Sequence, residues 1–279
     1  MFHIKKMTPE DFEFAVELAN TMNWNMVAGD FEFNAKLEPH GCLVLLDGSE
    51  KIGVATCISY GKMGWFGNLI VKEAYRQKGA GTLLVKHALS YLSGLGVKAV
   101  GLYAYEWLVD FYGKLGFKYD RDFLVLKANN VSLAKFGELR TAAKEHMPAV
   151  VNLDAECFGA SRKKVLESIL LNMRNVCYVS AENDKIIGFA TAKVYDEMAE
   201  FGPLVCASNR TDIAVELLEK LLWRLRGLEG WMCLPAAETT MVKTALRAGF
   251  KEESRVARMF LGSIAAEDCL YVAESLERG

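Results

Sequence analysis

The chain has 279 residues, of which 52% are hydrophobic and 24% charged, and its formal net charge is −2. This length predicts about two domains of roughly 150 residues each. The near balance of charge excludes the strongly basic character typical of nucleic-acid-binding proteins, so we expect no nucleic-acid partner and no membrane partner.

The first part of the chain predicts a strand, a helix and then a run of strands. A strand is expected from Phe2 to Met7, and Thr8-Pro9-Glu10-Asp11 supplies an N-cap, a first-turn proline and early carboxylates for the helix. A loop or second short helix follows through Asp30. Apolar runs separated by glycine-bearing turns then predict three strands, at 42–46, 51–60 and 65–71.

The apolar run of the third of these strands ends at Lys72, where a short charged loop with glycines begins. Apolar residues return with helical spacing from Leu83, so the order predicts strand, anion-binding loop and helix. Further elements follow: a buried strand at 97–105, a short helix at 106–115 and a last strand at 117–126. The order β-α-(α)-β-β-β-α-β-α-β predicts a mixed α/β fold in which helices flank a central mixed sheet.

The loop before the helix has the chemistry of a diphosphate site. Gly79 and Gly81 lack a Cβ, so their backbone N–H groups can approach a phosphate closely, and the helix adds its positive dipole end. Arg76 and Lys78 add positive charge at the same place. Neither G-x-x-x-x-G-K-[ST] nor G-x-G-x-x-G fits these residues, which favours a diphosphate outside the two common nucleotide-loop classes.

The seven cysteines and four histidines show no metal-ligand spacing. No C-x-x-C pair occurs and most cysteines lie in apolar runs, so we expect buried free thiols in a reducing cytosol, with no disulfide framework and no metal. The first residues lack the apolar core of a signal peptide, and no apolar run reaches about 18 residues. These patterns predict a cytoplasmic protein. The cysteines are Cys42, Cys57, Cys157, Cys177, Cys206, Cys233 and Cys269.

Two motifs carry a family resemblance. Arg76-Gln77-Lys78-Gly79-Ala80-Gly81 resembles the R/Q-x-x-G-x-G/A pyrophosphate loop of the GNAT N-acetyltransferase superfamily, and it follows an apolar strand as that family's loop does. Phe111-Tyr112-Gly113-Lys114-Leu115-Gly116-Phe117 resembles the family's second motif, a helix ending in Tyr-x-x-x-Gly-Phe. The resemblance implies that acetyl-CoA is the acetyl donor.

The resemblance also implies roles for single residues. Ile70 and Val71 would contact the pantetheine arm through backbone N–H groups that a bulge leaves available. Tyr112 would be the general acid that protonates the departing thiolate, and packing against neighbouring phenylalanines is the alternative. The implied coenzyme A site comprises Leu69, Ile70, Val71, Arg76, Gln77, Lys78, Gly79, Ala80, Gly81 and Thr82.

The general base is left open. Several members of the superfamily carry a glutamate at the position of Trp65, and this chain does not. Asp30, Glu106 and a chain of water molecules are the candidates, although each carboxylate could equally be an ordinary solvated group. Trp24 and Trp65 would either wall a substrate pocket or belong to the core.

The pattern repeats after a polar stretch at 128–132. Gly53 in Ile-Gly corresponds to Gly188 in the same dipeptide, 135 positions on (188 − 53 = 135). Gly116 in Gly-Phe corresponds to Gly249, 133 positions on (249 − 116 = 133). Matches at nearly one offset imply a duplicated domain.

We therefore predict a first copy over residues 1–128, which binds acetyl-CoA, and a degenerate second copy over residues 132–279. A glutamate near the phosphate site would repel the ligand, so the second copy is expected to bind no coenzyme A. At these offsets Arg76, Gly79, Gly81 and Tyr112 correspond to Thr211, Ala214, Glu216 and Ala245.

Within the superfamily the layout resembles tandem bacterial and archaeal proteins that have an active-looking N-terminal domain and a divergent C-terminal one. Asn23-Trp24-Asn25 with Asp30 is similar to their Gly-Trp-Asn-Pro…Asp segment, although Asn23 and Met26 replace the usual glycine and proline. In the second copy, Glu200 and Arg258 would either face a substrate or lie on the ordinary surface.

The resemblance implies an acetyl-CoA-dependent N-acetyltransferase in which a primary amine attacks the thioester directly. The acceptor would be a small molecule or a peptide, and the sequence names neither it nor the oligomeric state. The alternative is a non-catalytic acyl-CoA sensor or scaffold whose second copy binds a partner.

Overall fold

The computed structural model describes residues 1–132, 144–263 and 269–279. Their contacts divide the chain into two units. Unit 1 contains Met1–Leu102, Leu261–Ser263 and Arg278, and unit 2 contains the rest of the described chain. No helix among the described residues is both long and apolar enough to span a membrane.

Unit 1 is a sheet with helices, and its strands follow the order β1-β2-β3-β4-β5. All neighbouring strands are antiparallel except β4 and β5, which are parallel. The predicted loop or short helix is a full helix, α2. The elements are β1 Phe2–Lys6, α1 Phe12–Asn20, α2 Ala28–Leu37, β2 Cys42–Asp47, β3 Glu50–Ser59, β4 Met63–Val71, α3 Ala80–Gly94 and β5 Ala99–Tyr105, of which the last three residues belong to unit 2.

Unit 2 has the strand order β11-β6-β10-β9-β8-β7, and β12 pairs with β9. The sheet is mixed because β9 and β10 are parallel. The elements are α4 Val109–Gly113, β6 Lys118–Ala128, α5 Met147–Phe158, α6 Lys163–Leu170, β7 Val176–Glu182, β8 Lys185–Val194, β9 Met198–Cys206, α7 Thr211–Arg224, β10 Glu229–Pro235, α8 Thr239–Arg247, β11 Lys251–Leu261 and β12 Leu270–Val272. Each unit contributes strands with mixed pairing to one sheet, and helices pack against these strands, which confirms the predicted α/β class.

The register of the strands repeats as the sequence does. Gly53 on β3 lies opposite Val71, and Gly188 on β8 lies opposite Cys206. A Cβ on Gly53 would lie 2.9 Å from the Ile70 carbonyl oxygen, so close packing requires glycine there. The same steric requirement holds at Gly188. The strands β2-β3-β4 and the strands β7-β8-β9 are therefore two versions of one unit.

Strand β6 joins unit 2, although the sequence places it at the end of the first copy. It pairs antiparallel with β10 on one side and with β11 on the other. The contacts consequently divide the chain after Leu102, whereas the boundary at 128–132 stays a prediction about the repeat.

The expectation that every cysteine is a free thiol is wrong for one pair. Cys157 on α5 and Cys269 are joined by a disulfide across 112 positions of sequence. Because both residues lie in apolar runs like the other cysteines, composition alone could not distinguish them. The free cysteines are Cys42, Cys57, Cys177, Cys206 and Cys233.

Candidate functional site

A bulge interrupts β4 shortly before its end. The β3–β4 register pairs Val54 with Ile70 but Thr56 with Gly67, so β4 has an extra residue there. Asn68 adopts a left-handed φ of 50°, and its side-chain Nδ2 donates to Thr56 Oγ1 at 3.2 Å. The side-chain hydrogen bond holds the bulge in place.

The other edge of β4 is only partly used. The parallel pairing joins Met63–Trp65 to Ala99–Gly101, while β4 continues to Val71. No strand pairs with residues 66–71 on that edge in the described part of unit 1. The side chains of Ile70 and Val71 are buried, so the backbone is the part of this strand end that could bind a ligand, on the edge that the pairing with β5 does not reach.

The loop after β4 turns directly into the N-terminus of α3. Gln77 and Gly79 have φ values of 61° and 84°, which reverse the direction of the chain within a few residues. Gly79 is the N-cap of α3, and no side chain accepts a capping hydrogen bond there. The first N–H groups of the helix therefore remain available to an anion. A Cβ on Gly79 would meet no atom within 4 Å, which shows open space beside the loop.

Positive charge gathers at this helix end. Arg76 and Lys78 are exposed, and the first turn of α3 contains no acidic residue. The Arg76 Nε donates to the Val71 carbonyl oxygen at 3.0 Å, which closes the loop on the strand it follows. The Lys78 ammonium lies 5.6 Å from the centre of the Tyr75 ring. Gln77 is exposed as well, whereas Ala80 is buried and Gly81 and Thr82 are half-buried, as is Leu69.

Tyr112 belongs to unit 2, on the short helix α4. It is buried, and its ring meets Phe111 and Phe117 edge to face at 5.0 and 5.7 Å between centroids. Burial raises the pKa of the Tyr112 phenol well above its ordinary value. The hydroxyl is therefore protonated at neutral pH, as a proton donor must be.

The two carboxylate candidates for the base differ in their surroundings. The Asp30 Oδ2 accepts the backbone N–H of Val27 at 2.9 Å and so caps α2. Glu106 is exposed and begins a short 3₁₀ helix, next to Trp107, whose ring stacks on Tyr105 at 4.6 Å. Asp30 thus stabilises the start of α2, whereas Glu106 makes no side-chain capping hydrogen bond at its 3₁₀ helix.

The two tryptophans considered for the substrate pocket, Trp24 and Trp65, differ in how deeply they are buried. Trp65 is only 1% exposed and belongs to the core, so it is not a pocket wall. Trp24 is half-buried against the apolar cluster of α1, α2 and the sheet.

Glu200 and Arg258 of the second copy each form an ion pair. Glu200 lies 2.7 Å from Lys193 Nζ. Arg258 lies 2.7 Å from Asp120, and its guanidinium also packs over the Phe123 ring at 5.1 Å. Both side chains therefore have partners within the protein that account for their positions.

Asn68 and the buried pair of Lys193 and Glu274 were not expected from the sequence. A Gly-Asn dipeptide inside an apolar strand is a signal for a bulge, because asparagine tolerates a left-handed φ. The pair could not be found in the same way, since its partners lie far apart in sequence. Among the described residues, no group of three or more histidine, cysteine or carboxylate side chains could hold a metal ion.

Two family models match the sequence. One described as "Acetyltransferase (GNAT) family" matches residues 8–117, and one described as "Acetyltransferase (GNAT) domain" matches residues 150–270. No functionally curated protein matches the sequence significantly.

Solved structures show the same fold. A candidate acetyltransferase from Pyrococcus horikoshii gives a TM-score of 0.82 at 23% identity, over 100% of this chain and 96% of that chain. A GCN5-related N-acetyltransferase from Sphaerobacter thermophilus gives 0.70 at 16% identity, over 96% and 97%. A tandem GNAT protein from the clavulanic acid biosynthesis pathway gives 0.63 at 13% identity, over 96% and 100%. At these identities the likeness concerns the fold alone.

Proposed function

This chain belongs to the GNAT acetyltransferases through two domains of that family, and on this premise we propose that it is an acetyl-CoA-dependent N-acetyltransferase. The first copy would carry the activity, with a primary amine of a small molecule or peptide as acceptor. A cytoplasmic location is part of the proposal.

The observation that supports a coenzyme A site is the junction of β4 and α3. The loop presents uncapped helix N–H groups, two left-handed residues and open space beside Gly79. A diphosphate needs closely approachable donors, a positive helix end and nearby cations, and Arg76 and Lys78 supply the last of these. The residues present therefore fit the diphosphate of coenzyme A.

The strand end would hold the pantetheine arm. Residues 66–71 extend past the parallel pairing with β5, so an extended ligand could pair with the backbone of Ile70 and Val71. A backbone N–H near Ile70 would also stabilise the negative charge that develops on the thioester oxygen.

In this proposal the amine attacks the thioester carbonyl, the C–S bond breaks and the acetyl group is joined to nitrogen. Acetyl-CoA supplies the activated acetyl group. Tyr112 would donate the proton that the departing sulfur takes up, and its high pKa keeps it in the donor form. The proton lost by the amine would pass to Asp30, to Glu106 or to a water chain.

One observation favours the second candidate function, a non-catalytic acyl-CoA sensor. Trp65 is buried where several relatives carry a glutamate, so the first copy lacks that carboxylate. A sensor would bind coenzyme A tightly and transfer no acetyl group.

The test is a panel of primary amines incubated with acetyl-CoA, with release of the coenzyme A thiol as the readout. We expect turnover of at least one amine that is abolished when the chain is omitted. Tight coenzyme A binding without transfer to any amine would instead establish the sensor.

A further inference from the structure

The middle strand of the second copy ends as β4 does, but its edge is filled. Strand β9 pairs with β10 only from Met198 to Phe201, and it continues to Cys206. Beyond Phe201 the edge of β9 is occupied by residues 269–275, which we name the closing segment.

The closing segment bridges β9 and β10. Leu270 pairs antiparallel with Val205, and the backbone N–H of Cys206 donates to the Cys269 carbonyl oxygen at 3.1 Å. On the other side, the N–H of Ala273 donates to the carbonyl oxygen of Cys233 on β10 at 2.8 Å. The segment therefore lies in the opening between the two strands.

The backbone groups that the segment uses are those assigned to pantetheine in the first copy. At the offset of the repeat, Val205 and Cys206 correspond to Ile70 and Val71 (205 − 70 = 206 − 71 = 135). The segment thus pairs with the strand positions that correspond to the proposed ligand site.

The start of the segment also reaches the phosphate end. The Tyr271 hydroxyl lies 3.4 Å from Thr211 Oγ1, at the first residue of α7. Thr211 begins α7 as Ala80 begins α3, so in the structure it takes the place of Ala80 and not that of Arg76, with which the 135 offset pairs it. The segment therefore follows the route expected for coenzyme A, from the helix N-terminus to the strand interior.

Packing and charge hold the far end of the segment. A Cβ on Gly202 would overlap the Ala273 carbonyl oxygen, so the two backbones are in close contact. Glu274 is 1% exposed, and its Oε1 lies 2.6 Å from the buried Lys193 Nζ, which also contacts Glu200. Displacing Glu274 would separate a buried ion pair, which is strongly unfavourable.

We infer that the closing segment is an intramolecular occupant of the acyl-donor opening of the second copy, in the place that pantetheine takes in the first. The identity of that ligand rests on the proposed function. The second copy is therefore closed to pantetheine by its own chain as well as by the loss of the loop glycines.

The test is hydrogen–deuterium exchange of the full chain with and without saturating pantetheine or coenzyme A. We expect slow exchange at 203–207 and 269–275 that neither ligand changes, while coenzyme A slows exchange at 70–82. A ligand footprint at 203–207 in the unmodified chain would overturn the inference. So would exchange at 269–275 as fast as in an unstructured peptide.

Two variants loosen the segment without touching the first copy. Glu274→Gln weakens the pair with Lys193, which keeps Glu200 as a partner, and Ala273→Pro removes the N–H donated to Cys233. We expect at least tenfold faster exchange at 269–275 in each, and a pantetheine footprint at 203–207 that the original chain lacks. Exposed Glu253→Gln is the matched control and should change neither.

Faster exchange at 269–275 without a pantetheine footprint at 203–207 would show that the closing segment is not what excludes pantetheine from the second copy. Unchanged exchange in both variants would show that these two contacts do not hold the segment in place. A chain whose first copy binds no coenzyme A would refute the proposed function instead. The exchange rates and pantetheine footprint at 203–207 would still decide this inference.

Discussion

The first and second copies share a bulged middle strand and a helix that follows it, but they differ at the junction of the two. In the first copy the junction has Gly79 with open space beside it, and β4 has a strand edge without a partner strand among the described residues of unit 1. In the second copy, Arg210 and not a glycine is the N-cap of the following helix α7, and the closing segment fills the edge. On the proposed function, one scaffold keeps its fold while it loses its ligand site, because the site depends on few residues.

The largest effect should come from Tyr112, which the second copy replaces with Ala245. Tyr112→Phe removes only the hydroxyl and keeps the packing on Phe111 and Phe117. We expect kcat and kcat/KM to fall together by about 10²-fold, with acetyl-CoA affinity unchanged, measured by single-turnover kinetics on an amine found by screening.

The control for that variant is Tyr119→Phe, which alters an exposed tyrosine bonded to Asp122 and should leave the rate unchanged. Because burial raises the pKa of Tyr112, the rate should show no loss from its deprotonation below about pH 10. Normal turnover by Tyr112→Phe would contradict the role of general acid and show that Tyr112 serves only in packing.

The next effect concerns a buried carboxylate of the first copy. Asp11 lies 2.7 Å from Lys5 and 2.6 Å from Lys51, and the repeat places His146 at its position (146 − 11 = 135). Asp11→Asn should lower the free energy of unfolding by about 2 kcal/mol at neutral pH, measured by urea denaturation. Exposed Glu13→Gln is the control, and an equal loss there would contradict a specific role.

The pH dependence of that effect has a defined sign. Burial acts to raise the pKa of Asp11, but the bonds from Lys5 and Lys51 outweigh it and hold this pKa far below its ordinary value. The stabilisation is therefore fully present above the unfolded pKa of about 3.9 and is lost as the pH falls toward the folded pKa. The difference between wild type and Asp11→Asn should shrink as the pH falls below about 4.

A smaller effect is expected at the loop. Gly79→Val places a β-branched side chain in the space beside the N-terminus of α3, so the dissociation constant for coenzyme A should rise at least tenfold, or about 1.4 kcal/mol, by isothermal titration. Gly96→Val, at the other end of α3, is a matched control because its φ of 83° and open surroundings equal those of Gly79. Equal affinity of Gly79→Val and Gly96→Val for coenzyme A would show that the phosphate site is not at this loop.

The smallest effect should follow from a glycine at Ala214, the position that the 135 offset pairs with Gly79. Ala214→Gly lies inside α7, so it should cost about 1 kcal/mol of stability. It should add no second coenzyme A, because the closing segment still fills the strand edge. Calorimetric titration should give one coenzyme A per chain before and after the change, and a value near two would contradict the closed second copy.

The features that the sequence predicted well depend on neighbouring residues. The loop could be found from the spacing of Gly79 and Gly81, and the duplication from matched glycines at a nearly constant offset. Helix α2 was underestimated because its start at Ala28 depends on capping by Asp30, in a segment that also suits a loop.

The features that were missed depend on residues far apart in sequence. The disulfide of Cys157 with Cys269 and the pairing of β12 with β9 both join such positions. Apolar patterning shows that a residue is buried, but it does not identify the residue that packs against it. The position of β6 was missed for the same reason, since its alternation suits any sheet.

Strand β6 also limits how such a protein can evolve. Because β6 lies between β10 and β11, a gene that kept only residues 132–279 would encode β10 and β11 without the strand that joins them. Loss of the first copy would thus remove part of the sheet of unit 2 together with the ligand loop. A chain cut at the boundary of its repeat would therefore leave β6 apart from both of its partner strands, whichever half was kept.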